Sequence, residues 1–128
     1  MSILPEIVIS KHDLQRLETL LEKQKAGDEN AAKLEDELAR ARIVAQSELP
    51  EGVVTMNSRV RFEIIESGKV FEKRLCYPEE RVNDHDDISV LTAVGSSLIG
   101  LSEGATIPWS HNGKPLTVRV TAVFPPAA

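Results

Sequence analysis

The sequence predicts an α+β protein, a short antiparallel helical hairpin of coiled-coil type followed by a small mixed β-sheet domain with one short helix. Three observations carry that reading. Residues 11 to about 46 contain no proline and a single glycine, Gly27, whereas residues 50–126 hold six of the seven prolines and six of the seven glycines. In the first stretch leucines and alanines recur at gaps of three and four. The second stretch consists of short β-branched runs separated by turn residues. The change of pattern near Pro50 divides the chain into residues 1–49, an N-terminal segment with the hairpin, and residues 50–128, the sheet domain. A chain of 128 residues has material for one modest core and not for two.

Ser10 with Asp13 three positions later approximates a capping box, and Leu14, Leu17 and Leu21 follow at helical spacing, which predicts a helix from about 11 to 25. Ala26-Gly27-Asp28 breaks it. Ala31, Leu34, Leu38, Ala41 and Ala45 then form a seam that predicts a second helix from about 29 to 46. Neither stripe is stable alone in water, so the two helices must cover each other. Lys33 with Glu37 and Asp36 with Arg40 are spaced for surface ion pairs, expected as solvated decoration. A helix of about 15 residues extends only about 22 Å, so the hairpin is a short stalk.

Beyond Pro50, Val53–Ile65, Val70–Tyr77 and Ile88–Val94 read as three strands. Ala105–Trp109 and Leu116–Phe124 read as two more, joined across His111-Asn112-Gly113-Lys114, whose Asn-Gly pair favours a tight hairpin turn. Residues 96–101, ending in Gly100-Leu101, read as a helix of one or two turns.

A net charge of −5, with 15 basic residues interleaved among 20 acidic ones, argues against sequence-specific binding to duplex DNA. Protein partners are expected instead. The apolar runs are too short for a membrane helix, and the residues from Met1 to Pro5 carry no basic region feeding an apolar stretch. The one cysteine, Cys76, supports neither an internal disulfide nor a cysteine zinc site, so a cytoplasmic protein is expected.

Ile88-Ser89-Val90, followed by Thr92, Val94 and Gly95 and then by Leu98-Ile99-Gly100, resembles the signature segment of the bacterial GreA/GreB transcript-cleavage factors. The run from Val53 to Val60, with Met56-Asn57-Ser58 at its centre, is similar to the opening of the C-terminal domain in Rnk, the short-stalked branch of that family named for regulating nucleoside diphosphate kinase. The resemblance covers nearly the whole chain. It implies an FKBP-like sheet domain that docks at the rim of the secondary channel of RNA polymerase, with the hairpin directed down the channel. The implied docking residues are Ser89, Leu91, Thr92, Ala93 and Val94. Family members commonly carry a proline where this chain has Ala93, so a fixed φ angle is missing there.

The resemblance also raises catalysis, because Gre factors use acidic residues at the hairpin tip to help hold magnesium and water in the polymerase active site. Asp28 and Glu29 are the only candidates here. A short stalk places them short of that metal, and a structural role serves both, Asp28 as a helix cap and Glu29 beside the positive end of the helix dipole. The expectation is therefore a non-enzymatic, monomeric occupant of the channel entrance that competes with Gre factors, needs no cofactor and holds no metal. Two alternatives stand beside it: a cleavage factor using the tip acids, and an interaction module whose partner is nucleoside diphosphate kinase.

Other clusters carry less. Asn83-Asp84-His85-Asp86-Asp87 lacks the full calcium-loop spacing and is expected to be a solvated loop. His12 and His111 have no nucleophile to serve and are expected at the surface, while Cys76 is expected to be buried as a small hydrophobe. Val90, Leu98 and Ile99 are expected in the core. Prolyl isomerisation is not expected, since such a pocket needs clustered aromatic walls and the chain has only Phe62, Phe71, Phe124, Tyr77 and Trp109. Trp109 is expected to anchor the sheet core or its edge.

Overall fold

In the computed structural model, which describes residues 5–83, 85–111 and 113–126, a short strand β1 (Val8–Ser10) runs straight into helix α1 (Lys11–Glu22). Ser10 is the cap, its Oγ accepting from the Asp13 N–H at 3.1 Å. The Asp13 carboxylate does not fold back to complete a capping box; it accepts from the Met56 N–H at 3.1 Å, joining the helix to the sheet half of the chain. Helix α2 (Glu29–Arg40) follows after a six-residue connection, residues 23–28.

Both helices are shorter than the periodicity predicts, and the second differs most. Ala41 takes extended geometry at φ −74 and ψ 146, and Arg42–Val44 form strand β2, parallel to β1 with Ile9 opposite Ile43. The alanine seam continues through Ala41 and Ala45, but Arg42 donates its N–H to the Ile7 carbonyl at 2.9 Å, and the β-branched pair Ile43-Val44 suits the strand. Glu37 is also not decoration. It is buried and paired with Arg40 at 2.7 Å, and Arg40 donates as well to the Pro5 carbonyl, so this cluster ties the end of α2 to the segment before β1.

The second half forms a five-stranded sheet in the order β5-β4-β3-β7-β6. Its strands are β3 (Arg59–Ile64), β4 (Lys69–Cys76), β5 (Asp87–Ser89), β6 (Thr106–His111) and β7 (Lys114–Phe124). Within this sheet, among the described residues, only β4 and β5 pair in parallel. The strand expected from Val53 starts six residues late, because Val53 bridges to Ser102, Val54 bonds to Leu101 and Asn57 turns the chain at φ +70. The strand expected through Val94 ends at Ser89, and helix α3 (Ala93–Leu98) begins three residues earlier than expected. At the hairpin, His111 pairs with Lys114 and Gly113 has φ +77; Asn112, expected in that turn, lies outside the described residues.

One core serves both halves. Ile7, Ile9, Leu17 and Leu34 from the N-terminal part pack in the same buried cluster as Val54, Val60, Leu75, Val90, Leu98 and Ile99. Burying side chains of this size contributes about 1.5–3 kcal/mol each. The hairpin is therefore anchored at its base, where the Val8 N–H also bonds to the Gly100 carbonyl at 3.1 Å. Among the described residues no helix is long and apolar enough to cross a membrane.

Candidate docking surface and hairpin tip

The segment from Ser89 to Gly95 leaves the sheet and starts α3, and nearly every polar group in it is engaged locally. Ser89 Oγ accepts from the Leu91 N–H at 3.1 Å, and the Ser89 carbonyl accepts from Thr92 Oγ1 at 2.7 Å and from the Thr92 N–H at 3.1 Å. Thr92 Oγ1 in turn accepts from the Gly95 N–H at 3.0 Å, so Thr92 is the cap of α3. Ser96 and Ser97 close the helix by donating to the Ala93 carbonyl at 3.1 and 2.9 Å. A Cβ on Gly95 would lie 2.0 Å from the Ser89 carbonyl oxygen, a distance no side chain tolerates. Only glycine fits there.

This turn presents Leu91, Thr92, Ala93 and Val94 half-buried, while Ser89 is buried at their base. Val90, Leu98 and Ile99 point into the core at 0–1% exposure. Ala93 is the first residue of α3, where a proline is compatible with a helix, and Thr92 before it has the extended geometry that proline demands of its predecessor. Val94 also borders an open apolar groove of about 370 Å3 with Phe62, Phe71, Ile88, Trp109 and Leu116. Three of the five aromatic residues thus share one groove, which the count of aromatics alone does not reveal. Phe62 and Phe71 are cross-strand partners stacked at 5.5 Å between ring centroids.

An ion-pair network anchors the approach to the turn. Arg74 donates to Asp87 at 3.0 Å, to Asn57 at 3.3 Å and to the Glu80 carbonyl at 2.9 Å, and Asp87 also accepts from the Val82 and Asn83 amides. The Arg74 hydrogen bond holds the Asp87 carboxyl down at about 2. Asp87 is thereby committed to the fold rather than to a cation, and Asp84 of the same run lies outside the described residues. Cys76 is buried, and burial pushes its thiol up, away from reactivity. His12 is exposed; the side chain of His111 lies outside the described residues.

At the hairpin tip Asp28 caps α2, its Oδ1 accepting from the Asn30 and Ala31 amides at 3.0 and 3.1 Å. Glu29 is exposed in the first turn. The two acids are neighbours, but among the described residues no group of three or more His, Cys, Asp or Glu stands ready to hold a metal ion. Asp13, like Glu37, has a role that its helical spacing does not predict. It is buried, burial raises its pKa, and its bond to Met56 crosses between the halves. Its helical spacing from Ser10 signalled only a local role.

Comparison with known proteins matches residues 5–44 to the Rnk N-terminus model and residues 49–125 to the model of the transcription elongation factor GreA/GreB C-terminal region. The "regulator of nucleoside diphosphate kinase" of Escherichia coli K12 is 39% identical over 110 residues, covering 85% of this chain and 81% of that protein. A solved structure described as a prokaryotic transcription elongation factor GreA/GreB from Nitrosomonas europaea is 43% identical with a TM-score of 0.76, covering 94% of this chain and 99% of that one. Gfh1 of Thermus aquaticus shares the fold at 20% identity and a TM-score of 0.52, over 94% of this chain and 99% of its own.

Proposed function

From the chain's membership of the GreA/GreB family of transcription elongation factors, and of its Rnk branch, we propose that it binds RNA polymerase at the rim of the secondary channel and competes there with Gre factors without stimulating transcript cleavage. In this reading residues 50–128 dock, through Ser89, Leu91, Thr92, Ala93 and Val94, and residues 1–49 project the hairpin. The protein acts in the cytoplasm as a monomer and without a cofactor.

The observation that carries the non-cleaving part is the length of the helices. Each has 12 residues, so the hairpin extends only about 18 Å beyond its base. Asp28 would also have to release two amides of α2 before it could serve a metal, which leaves Glu29 as the one tip acid free of the fold. The docking part is supported by the rigidity of the Ser89–Gly95 turn. Ser89, Thr92 and Gly95 are already hydrogen-bonded within it, so a partner meets half-buried apolar side chains at little ordering cost.

A binding experiment with core RNA polymerase tests the docking. Native protein should be retained, and Leu91→Asp and Val94→Asp should lose retention while keeping the native circular dichroism spectrum. Equal retention of all three would remove the docking surface. The name of the Escherichia coli relative favours a second reading, regulation of nucleoside diphosphate kinase. Saturable binding to the kinase in the absence of polymerase would support it, and a flat titration would dismiss a direct contact.

A further inference from the structure

We propose that the open edge of β4 between Lys69 and Glu72 receives an extended segment of a partner protein as an added strand, with an apolar side chain over Phe71 and a carboxylate on Lys69. This surface adjoins the Ser89–Gly95 turn, whose Val94 lines the same groove, but strand addition at β4 is a different contact from docking through the turn and is read without polymerase. β5 pairs with Arg74, Leu75 and Cys76, so among the described residues Lys69–Glu72 have a strand neighbour on the β3 side alone, while Lys73 donates from its ammonium to the His85 carbonyl at 3.2 Å. The orientation of that free edge follows from two bonds. The Arg74 N–H points outwards to the Asp86 carbonyl at 2.7 Å, while the Leu75 N–H points inwards to Ser58 at 3.0 Å. Alternation along an unbroken register then directs the main-chain groups of Val70 and Glu72 to the open side, in file with β5.

The edge is apolar at its centre, with Val70 57% and Phe71 37% exposed. Sheets normally blunt such edges. The opposite edge strand, β6, does so with Pro108, whereas β4 carries the charges of Lys69, Glu72 and Lys73 but no proline over residues 69–73, so its outward main-chain groups stay able to pair. Lys69 and Phe71 share a face, and both border the 370 Å3 groove together with Phe62, Ile88 and Trp109. A strand laid antiparallel along β4 would place one side chain opposite Phe71, at the mouth of that groove, and the side chain two residues later opposite Lys69.

Charge selects the occupant. Among the described residues Lys69 is the only charged one lining the groove, so the position facing it favours a carboxylate. A second copy of this chain does not supply one. Self-pairing centred on Phe71 sets Lys69 against Lys73, and self-pairing centred on Val70 sets Lys69 against Phe71. The partner segment is therefore extended, apolar at one position and acidic two residues further on, a pattern unlike a helical ligand.

The test uses the full chain and a fluorescent peptide of sequence Thr-Val-Thr-Leu-Thr-Glu-Thr, with a second peptide carrying Lys in place of Glu. Saturable anisotropy is expected for the first peptide, with slower amide exchange at Val70 and Glu72 and none of that slowing in β6. Val70→Pro removes an outward N–H without touching the β3 ladder and should weaken binding about fivefold. Lys69→Glu should weaken the Glu peptide and strengthen the Lys peptide, each by about threefold, with the native spectrum retained. No saturable binding, or binding indifferent to both substitutions, overturns the proposal. So does a peptide-free dimer in sedimentation with Val70 and Glu72 already protected, which would make a second copy the occupant.

Discussion

The turn from Ser89 to Gly95 and the hairpin tip at residues 23–29 are both short connections beside a capped helix start, yet they present different groups, half-buried apolar side chains at the turn and acids at the tip. In the turn Ser89 and Thr92 each make more than one hydrogen bond and Gly95 is pressed against the Ser89 carbonyl. The tip has the Asp28 cap, the Asp28 N–H donating to the Lys25 carbonyl at 3.2 Å and Gln24 donating from Nε2 to the Leu20 carbonyl at 3.0 Å, but its Glu29 is exposed. A surface that is already rigid suits recognition, because little conformational entropy is lost when a partner arrives. A pair of acids in which one is committed to capping suits neither a metal nor a reacting water. The proposed function follows this difference, with binding at the turn and a structural role at the tip.

The strongest way to break this comparison is Gly95→Ala. With a Cβ driven to 2.0 Å from a main-chain oxygen, the turn must rearrange, and a loss of about 3 kcal/mol or more is expected in chemical denaturation. A loss below 1 kcal/mol would mean the turn is softer than its bonds imply. Asp13→Ala probes the base that both regions share. It leaves the buried Met56 N–H without its acceptor and should cost about 2 kcal/mol, with faster exchange of that amide.

The tip should be more tolerant. Asp28→Ala removes one helix cap and should cost about 1 kcal/mol, with no change in polymerase retention. Reduced retention at unchanged stability would make the tip part of the contact. The smallest effect is a gain. Ala93→Pro occupies the first position of α3, where the missing N–H and preset φ are tolerated, so it should raise stability by about 0.5 kcal/mol and tighten docking. Lost stability would show that the helix start differs from the one described.

The sequence carries the fold class and most elements, because leucine spacing and β-branched alternation are local signals. Where expectation and structure part, a distant residue decides. Ala41 and Ala45 extend the helical seam, but pairing with β1 ends α2 at Arg40, and β1 lies more than thirty residues earlier in the chain. The run from Ile88 to Val94 is β-branched enough for a strand, yet the Thr92 cap and the close approach of Gly95 turn its second half into a helix start. Asp13 stands where a capping-box partner belongs, while its actual acceptor role is with Met56 across the core. The aromatic groove needs the strand register, Phe62 opposite Phe71 and Trp109 opposite Leu116, before its walls come together.

RNA cleavage in a stalled elongation complex tests the central claim most directly, with a Gre factor added alone and then with increasing amounts of this protein. The account predicts that the protein alone cuts nothing and suppresses Gre-stimulated cleavage in proportion to its concentration, and that Asp28→Ala suppresses it equally well. Magnesium-dependent shortening of the transcript by this protein alone, abolished by Asp28→Ala, would contradict the account and make the tip a catalytic element.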